Sequence, residues 1–332
     1  MSIFGKKVQV GLNIGSYSLQ GASLAANSHK PWVWRDVLFP SRDGIDDALT
    51  EHDLRARVKS FLKPHEKTLA LTKGQVVLGI QGDSLTTGYL PLPKLKDEEI
   101  DMAVRSTVTR EVPFPIDTLD IAHVPVEPLK GDKTAVFYSV WKKVTTHQLH
   151  EIAAFCNLTI RRLEATGIAL TRELYRNRSL DPDAFYAIVD IGFAMTQILL
   201  VKGGFPYFLR DVPIGGKDIT YAIQVGSQVS WEEAENVKKS LPLYEMIHTV
   251  NPVLSEIHYE VKRSLDYCCS RLECPQVAGV FLSGGTSLLA DFPDWLEEEL
   301  RLSVTRESWE KLDVADNEAP LHKVSVGLAL GQ

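Results

Sequence analysis

The chain has 332 residues, of which 44% are hydrophobic, 24% charged and 8% aromatic. These fractions exclude a disordered, collagen-like or coiled-coil chain, and the length predicts two domains or one large two-lobed unit. The net charge of −7 argues against a broad nucleic-acid-binding surface. No apolar run reaches the ~20 residues of a membrane-spanning helix. Because the N-terminus lacks a signal-peptide core and the cysteines form no CxxC pair, we expect a cytoplasmic protein with reduced thiols.

Strand-like and helix-like segments alternate in the first half, which is typical of an α/β fold. Strands are predicted at 8–14, 18–26, 73–81 and 159–166, with two more in 119–141 around a turn at Lys130–Gly131–Asp132. Helices are predicted at 45–63, 97–111, 145–156 and 167–178. The prolines that flank 97–111 bound that helix, since proline cannot continue one.

The second half of the chain begins like the first. Residues 179–183 (SLDPD) have turn composition and mark the boundary. After it, 187–201 aligns with 10–24 at a constant offset of 177 residues, which matches Asp190 to Asn13 and Gln197 to Gln20. Both segments predict a strand, a glycine turn and a returning strand, so the sequence indicates a duplication.

Capping and proline signals place the helices that follow. A helix is predicted at 217–225, and Ser230 with Glu233 forms a capping box that opens the next one. Asn251–Pro252 is expected to open a long helix. Residues 278–292 predict a strand, a Gly-Gly turn and a further helix.

Three glycine turns, each after an apolar strand, are the candidate functional elements. They lie at Asn13–Ser16, Asp190–Gly192 and Leu282–Thr286. Glycine permits positive φ and lets backbone N–H groups approach a phosphate closely. Two such hairpins facing each other could hold a triphosphate from both sides, with the third turn against the nucleoside.

In this arrangement the sequence resembles the actin-like ATPase superfamily. The resemblance implies duplicated RNase H-like lobes, with phosphate loops at 13–18 and 190–196, an adenosine loop at 283–286 and a nucleoside-contacting helix that contains Ala234. The cofactor-binding residues it implies for ATP are Asn13, Gly15, Ser16, Ser18, Gly192, Thr196, Glu235, Lys238, Gly284, Gly285 and Thr286. Glu235 and Lys238 lie one helical turn apart and could reach the same ligand.

Within that superfamily the chain resembles the PilM family of type IV pilus assembly proteins over nearly its whole length. The segments most similar to that family are 92–127, 189–220, 260–268, FLSGGTSLL and the terminal VGLAL. The resemblance implies a first lobe at 1–88 and 142–180 with the crossing helix, a small α/β subdomain inserted at 89–141, and a second lobe at 181–332 whose end packs toward the first. It implies an adaptor at the inner membrane that binds the cytoplasmic N-terminal tail of a PilN-like membrane protein, and it leaves open contacts with pilus motor ATPases and a homodimer.

Two positions depart from the phosphate-loop pattern of the family. Asn13 replaces an aspartate and Gln20 a lysine, so the loop loses a carboxylate for Mg²⁺ and a cation near the phosphates. Asp190 remains as the expected Mg²⁺-linked catalytic carboxylate, and Glu164 as a water-orienting group. Phe193 and Met195 are bulky for a phosphate loop. The sequence therefore predicts nucleotide binding with at most weak hydrolysis.

Three alternatives stay open at this point. The chain could be a nucleotide-free scaffold, or a small-molecule kinase with Asp218 as base, although Asp218 is also placed to cap a helix. The third alternative is a related pilus or secretion protein of the MshI, HofM or GspL type, which the sequence does not exclude. FtsA-type proteins normally end in a membrane-targeting helix, which this sequence does not contain.

Overall fold

The computed structural model describes residues 8–25, 30–37, 51–71, 75–82, 85–129, 133–272, 274, 276–313 and 319–331. The strands are β1 (Val8–Ile14), β2 (Ser18–Ala25), β3 (Trp32–Val37), β4 (Gln75–Ile80), β5 (Leu85–Pro93), β6 (Leu119–Leu129), β7 (Lys133–Lys142), β8 (Thr159–Ala165), β9 (Phe185–Ile191), β10 (Thr196–Lys202), β11 (Phe205–Val212), β12 (Val277–Ser283) and β13 (Val304–Arg306). The α-helices are α1 (Glu51–Leu62), α2 (Glu66–Leu71), α3 (Asp97–Glu111), α4 (Lys143–Phe155), α5 (Thr166–Asn177), α6 (Gly216–Ser227), α7 (Trp231–Ser240), α8 (Leu243–Arg271), α9 (Phe292–Leu300) and α10 (Lys323–Ala329). Among these helices, none is both long and apolar enough to cross a membrane.

Two five-stranded sheets have the same topology. Their strand orders are β3-β2-β1-β4-β8 and β11-β10-β9-β12-β13. In each sheet the first three strands form an antiparallel meander. The other two strands run parallel to β1 in the first sheet and to β9 in the second. This repeated topology confirms the duplicated α/β fold.

A third sheet of order β5-β7-β6 is antiparallel and is covered by α3. Val104 and Val108, one turn apart on α3, are fully buried against Val136 and Val140 of β7. The acidic first turn of α3 complements the positive end of its helix dipole. The turn predicted at 130–132 lies outside the described residues.

The second five-stranded sheet forms the larger core. Consecutive β10 residues from Ile198 to Val201 are all fully buried, so both faces of this strand are covered. Helices α5 and α8 contribute to the same cluster through residues such as Leu170 and Leu254. A continuous apolar run is the pattern expected of a strand covered on both faces.

The long helix α8 begins at Leu243, so the predicted start at Asn251–Pro252 is wrong. Pro252 is an interior residue of this helix and lies on its exposed side. The carbonyl of His248, which loses its helical donor there, also belongs to an exposed residue. The buried stripe continues across the proline from Met246 to Leu254, and this packing outweighs the cost of the missing bond.

Two other helix predictions differ from the structure. For the helix expected at 45–63, residues 45–50 lie outside the described part of the chain, and α1 is followed by a 3-10 turn at Lys63–His65 that leads into α2. Pro64 is accepted in that turn because its absent N–H is not required in a first turn. After the Gly-Gly turn there is only a 3-10 turn, Gly285–Leu288, before α9.

Helix α10 packs against β1 and α5 at backbone distance. A Cβ atom on Gly11 would lie 2.4 Å from the carbonyl oxygen of Ser325, and one on Gly327 would lie 2.1 Å from that of Ala169. Both positions therefore require glycine for steric reasons. The predicted lobe boundaries stay a prediction.

Candidate functional site

The two glycine hairpins have the same strand register. In the first meander Asn13 pairs with Gln20, and in the second Asp190 pairs with Gln197. Each member of the second pair follows its counterpart by the 177 residues found in the sequence. The sequence repeat therefore corresponds to a repeat of strand pairing.

The turns of the hairpins are also closed in the same way. The Gly15 N–H donates to the Ser18 carbonyl at 3.0 Å, and the Gly192 N–H donates to the Met195 carbonyl at 2.9 Å. A tight turn of this kind brings consecutive backbone amides close together at the tip, where they can face an anion.

A cleft of about 470 Å³ lies between the two hairpins. The predicted site residues that line it are Asn13, Gly15, Ser16, Ser18, Asp190, Gly192, Glu235, Lys238, Gly284, Gly285 and Thr286. The three glycine turns and helix α7 thus meet at one place, as the sequence indicated, although their roles there stay predictions.

Two predicted residues do not line the cleft. Glu164 is buried and held by Arg172, whose guanidinium donates to both carboxylate oxygens at 2.7 and 2.9 Å, and by Arg162 at 2.8 Å. Thr196 is also buried, and its hydroxyl donates to the Ile214 carbonyl at 2.8 Å. Both side chains are therefore engaged in contacts within the fold rather than directed into the cleft.

The third strand of each meander adds a residue that the sequence analysis missed. Gln20 pairs with Arg35 on β3, and Gln197 pairs with Asp211 on β11. Arg35 and Asp211 line the cleft at equivalent positions, but they carry opposite charges. The recurring Arg-Asp-Val of the two strands (35–37 and 210–212) marks both regions in the sequence, but it does not give the register that makes Arg35 and Asp211 equivalent.

Asp190 is partly buried and has a second carboxylate nearby. Burial raises the pKa of Asp190 to about 6, the Asp211 carboxylate also raises it, and a hydrogen bond with Ser283 opposes the shift. The carboxylate of Asp211 is fixed by the Gln197 amide at 2.8 Å and the Gly82 N–H at 2.9 Å. Bringing a divalent cation to these oxygens would favour the ionised form of Asp190.

Glu235 and Lys238 form a buried pair on α7, which Ser230 caps by accepting the Glu233 N–H at 3.2 Å. The Lys238 ammonium contacts Glu235 at 2.5 Å and donates to the Thr220 hydroxyl at 2.7 Å. Burial would raise the pKa of Glu235, but Lys238 outweighs it and the pKa is lowered. Burial lowers the pKa of Lys238 despite the attraction of Glu235.

The third turn packs directly on the second hairpin. Gly284 has φ +81°, and a Cβ atom there would lie 2.4 Å from the Ile191 carbonyl oxygen. The Thr286 hydroxyl donates to the Gly192 carbonyl at 3.2 Å. Only glycine fits position 284, for both backbone conformation and space.

An aromatic contact joins the tips of the two hairpins. The rings of Tyr17 and Phe193 lie 4.8 Å apart between centroids, and the Ala194 N–H donates to the Ser16 hydroxyl at 3.3 Å. Such ring pairs contribute ~0.5–1.5 kcal/mol beyond their area. The bulk of Phe193 therefore has a packing role, and the hairpins touch at one end of the cleft.

Asn13 is buried at the base of the first hairpin. Its amide nitrogen donates to the Gln20 side chain at 3.3 Å, while its Oδ1 atom is buried without a hydrogen-bond partner. The Asn13–Gln20 pair is neutral, so this hairpin carries neither the carboxylate nor the lysine of the family pattern. The nearest cationic side chain on the same cross-strand row is Arg35.

Comparison with solved structures identifies an actin-like fold. A PilM–PilN type IV pilus biogenesis complex contains a chain that is 24% identical, with a TM-score of 0.83 and 97% of each chain covered. MreB5 of Spiroplasma citri, crystallised with AMPPNP, is 12% identical with a TM-score of 0.58, over 97% of this chain and 95% of the other.

Among curated proteins, the cell division protein FtsA of Bacillus subtilis (strain 168) is 44% identical over 55 residues. That match covers 17% of this chain and only 12% of FtsA. The family model of the type IV pilus assembly protein PilM matches residues 11–331. Because this match includes both glycine hairpins and nearly the whole chain, the protein belongs to the PilM family of type IV pilus assembly proteins.

Proposed function

We propose that this protein is an adaptor of type IV pilus assembly that binds Mg²⁺-ATP in the cleft and, on a separate surface, the cytoplasmic N-terminal tail of a PilN-like inner-membrane protein. Membership of the PilM family and the similarity to a PilM–PilN complex support the partner. The similarity to a nucleotide-bound MreB5 supports the ligand. In this account the protein stays cytoplasmic and reaches the inner membrane through its partner.

The observation that carries the nucleotide proposal is the pair of equivalent hairpins on the two sides of one cleft. The Gly15, Gly192 and Ala194 N–H groups donate within and between the hairpins, and the other amides of the two turns would donate to phosphate oxygens from both sides. Asp190, with Asp211 beside it, supplies the anionic oxygens that Mg²⁺ prefers. On α7, Glu235 and Lys238 also line the cleft and could hold a nucleoside.

The arrangement favours binding over turnover. Hydrolysis needs a group that orients water on the terminal phosphate, and the carboxylate of Glu164 is occupied by two arginines. The base required by the kinase alternative is also occupied, since Asp218 accepts the Gly215 N–H at 2.8 Å and caps α6. We therefore expect slow ATP turnover or none.

A second groove is the proposed site for the partner tail. It has a volume of about 480 Å³ and lies between β6, α5 and the turn that connects β10 to β11. Val124, Ile168 and Phe205 give it an apolar lining, and the exposed Arg176 lies at its edge. An apolar groove with a cationic edge suits a peptide with alternating apolar and acidic groups.

A binding experiment with the tail tests this proposal. A fluorescently labelled peptide copy of the PilN-like tail is titrated with the full chain and followed by anisotropy. We expect saturable binding that Arg176→Glu weakens about tenfold or more. Lys94→Glu, at an exposed residue that directly follows β5, is the matched control and should bind normally. No binding to the folded wild-type chain would refute the adaptor role, and full binding by R176E would refute the assignment of the groove.

A further inference from the structure

The two cross-strand rows that line the cleft have the same geometry but opposite charge. The first contains Asn13, Gln20 and Arg35, and the second contains Asp190, Gln197 and Asp211. All of these residues line the cleft. The first row is positive and the second negative at neutral pH.

We propose that Arg35 is a phosphate-binding residue of the cleft. It supplies from β3 the positive charge that the first hairpin itself lacks, and it makes the site selective for nucleoside polyphosphates. This inference rests on the proposed binding of nucleotide, and it names the residue of this protein that recognises the phosphate groups.

Arg35 lies close enough to Gln20 to supply a positive charge at that position of the first hairpin. The two residues are directly paired on neighbouring antiparallel strands, so their side chains project from the same face with Cβ atoms ~4.5–5.5 Å apart. The Nε atom of Arg35 donates to the Ser18 hydroxyl at 3.2 Å, which holds the guanidinium beside the first hairpin. Its remaining N–H groups are suited to two oxygens of one phosphate.

Arg35 also differs from the other cations of the cleft in its partners. Lys238 and Lys239 both contact the carboxylate of Glu235, at 2.5 and 3.3 Å. Arg35 forms no ion pair with any described residue; its contacts are the Ser18 hydroxyl and the ring of Tyr17, 5.9 Å from its Cζ atom. A cation without a carboxylate partner gains most from an anionic ligand.

The negative row of Asp190, Gln197 and Asp211 complements the positive charge of Arg35 in binding one ligand. Asp211 takes the place that Arg35 has in the first row, and it lies near Asp190. A magnesium polyphosphate between the rows would direct phosphate oxygens to Arg35 and the metal ion to the carboxylates. A nucleoside monophosphate would use this pair of charges least.

Calorimetric titration of Mg-ATP into a set of variants of the full chain tests the assignment. We expect Arg35→Gln to bind Mg-ATP about 10- to 100-fold more weakly, with the unliganded melting temperature unchanged. Arg35→Lys should keep part of the affinity, and adding Gln20→Lys to R35Q should restore it by returning a cation to the neighbouring position. Lys94→Gln is the control for loss of one exposed positive charge.

The outcomes separate this inference from the proposed function. Wild-type binding together with equal affinity of R35Q would overturn the role of Arg35 and leave nucleotide binding intact. Equal losses in R35Q, R35K and R35Q/Q20K would show that Arg35 acts through packing, which also overturns the inference. Failure of the wild-type chain to bind Mg-ATP would instead refute the proposed nucleotide site, and the role of Arg35 with it.

Discussion

Replacement of Lys323 by methionine tests how the C-terminal helix is anchored beneath the cleft. The ammonium of Lys323 is almost completely buried and contacts Glu173 at 2.9 Å and Glu307 at 2.8 Å. In Lys323→Met, Glu307 keeps Arg178 at 3.3 Å, whereas Glu173 loses its hydrogen-bonding partner. Removing one member of a buried ion pair costs about 3–5 kcal/mol, so the melting temperature should fall on the order of 10 °C.

The raised pKa of Glu173 predicts how the destabilisation by K323M changes with pH. Burial raises the pKa of Glu173 from 4.5 to about 7, although the Lys323 ammonium opposes the shift. Loss of that ammonium raises the pKa further. An acid whose pKa is raised by folding contributes stability at low pH that is lost as the pH rises through the folded-state pKa. The destabilisation by K323M should therefore be smaller at pH 5 than at pH 8.

Urea unfolding followed by circular dichroism at pH 5 and pH 8 measures both effects. Lys94→Met serves as the exposed control, and Glu173→Gln in the K323M background should recover part of the loss by removing the buried charge. A K323M chain that is within about 1 kcal/mol of wild type at pH 8, or equally destabilised at both pH values, would refute this reasoning.

Three further predictions concern the cleft and its helix. Asp190→Asn should abolish the Mg²⁺-dependent part of ATP affinity, and wild-type affinity should fall as the pH is lowered through about 6, where Asp190 becomes protonated; calorimetry at pH 5.5 and 7.5 checks this, and a flat pH profile would contradict it. Gly284→Ala should lower the melting temperature and prevent Mg-ATP binding, because the new Cβ would lie 2.4 Å from the Ile191 carbonyl; wild-type values would contradict the steric argument. Ser230→Ala should lower the free energy of unfolding by about 1 kcal/mol through loss of the N-cap, while Ser230→Asp should retain most of it in the same urea assay.

Local signals in the sequence were sufficient for the hairpins. The pairing of Asn13 with Gln20 and of Asp190 with Gln197 follows from short glycine turns, because a tight turn determines the register of its two strands. The capping box at Ser230 and Glu233 likewise fixes the start of α7.

Longer-range pairing was not accessible in this way. Alignment of the Arg-Asp-Val repeats makes Arg35 equivalent to Arg210. In the strand register of the two sheets, however, the residue equivalent to Arg35 is Asp211. The connections that precede β3 and β11 differ in length, and β10 and β11 contain a register shift at Leu200. A shift of one residue exchanges the faces of a strand. The charges at the edge of the cleft therefore required the structure.

The misplaced start of α8 has its origin in tertiary contacts. The cost of the proline inside this helix is offset by a buried stripe that extends on both sides of it. The pairing of Glu164 with Arg172 on α5 is a contact of the same kind, which local sequence patterns do not reveal. The water-orienting role of Glu164 stays a prediction.

Hydrogen–deuterium exchange of the full chain with and without Mg-ATP tests the central claim most directly. If the two equivalent hairpins close on the phosphates, ATP should slow amide exchange at 13–18, 190–196 and 283–286 together. The exposed helix face around Arg105 of α3 should exchange as before. Unchanged exchange in all three turns at saturating Mg-ATP, or protection confined to other segments, would contradict a nucleotide site between the hairpins.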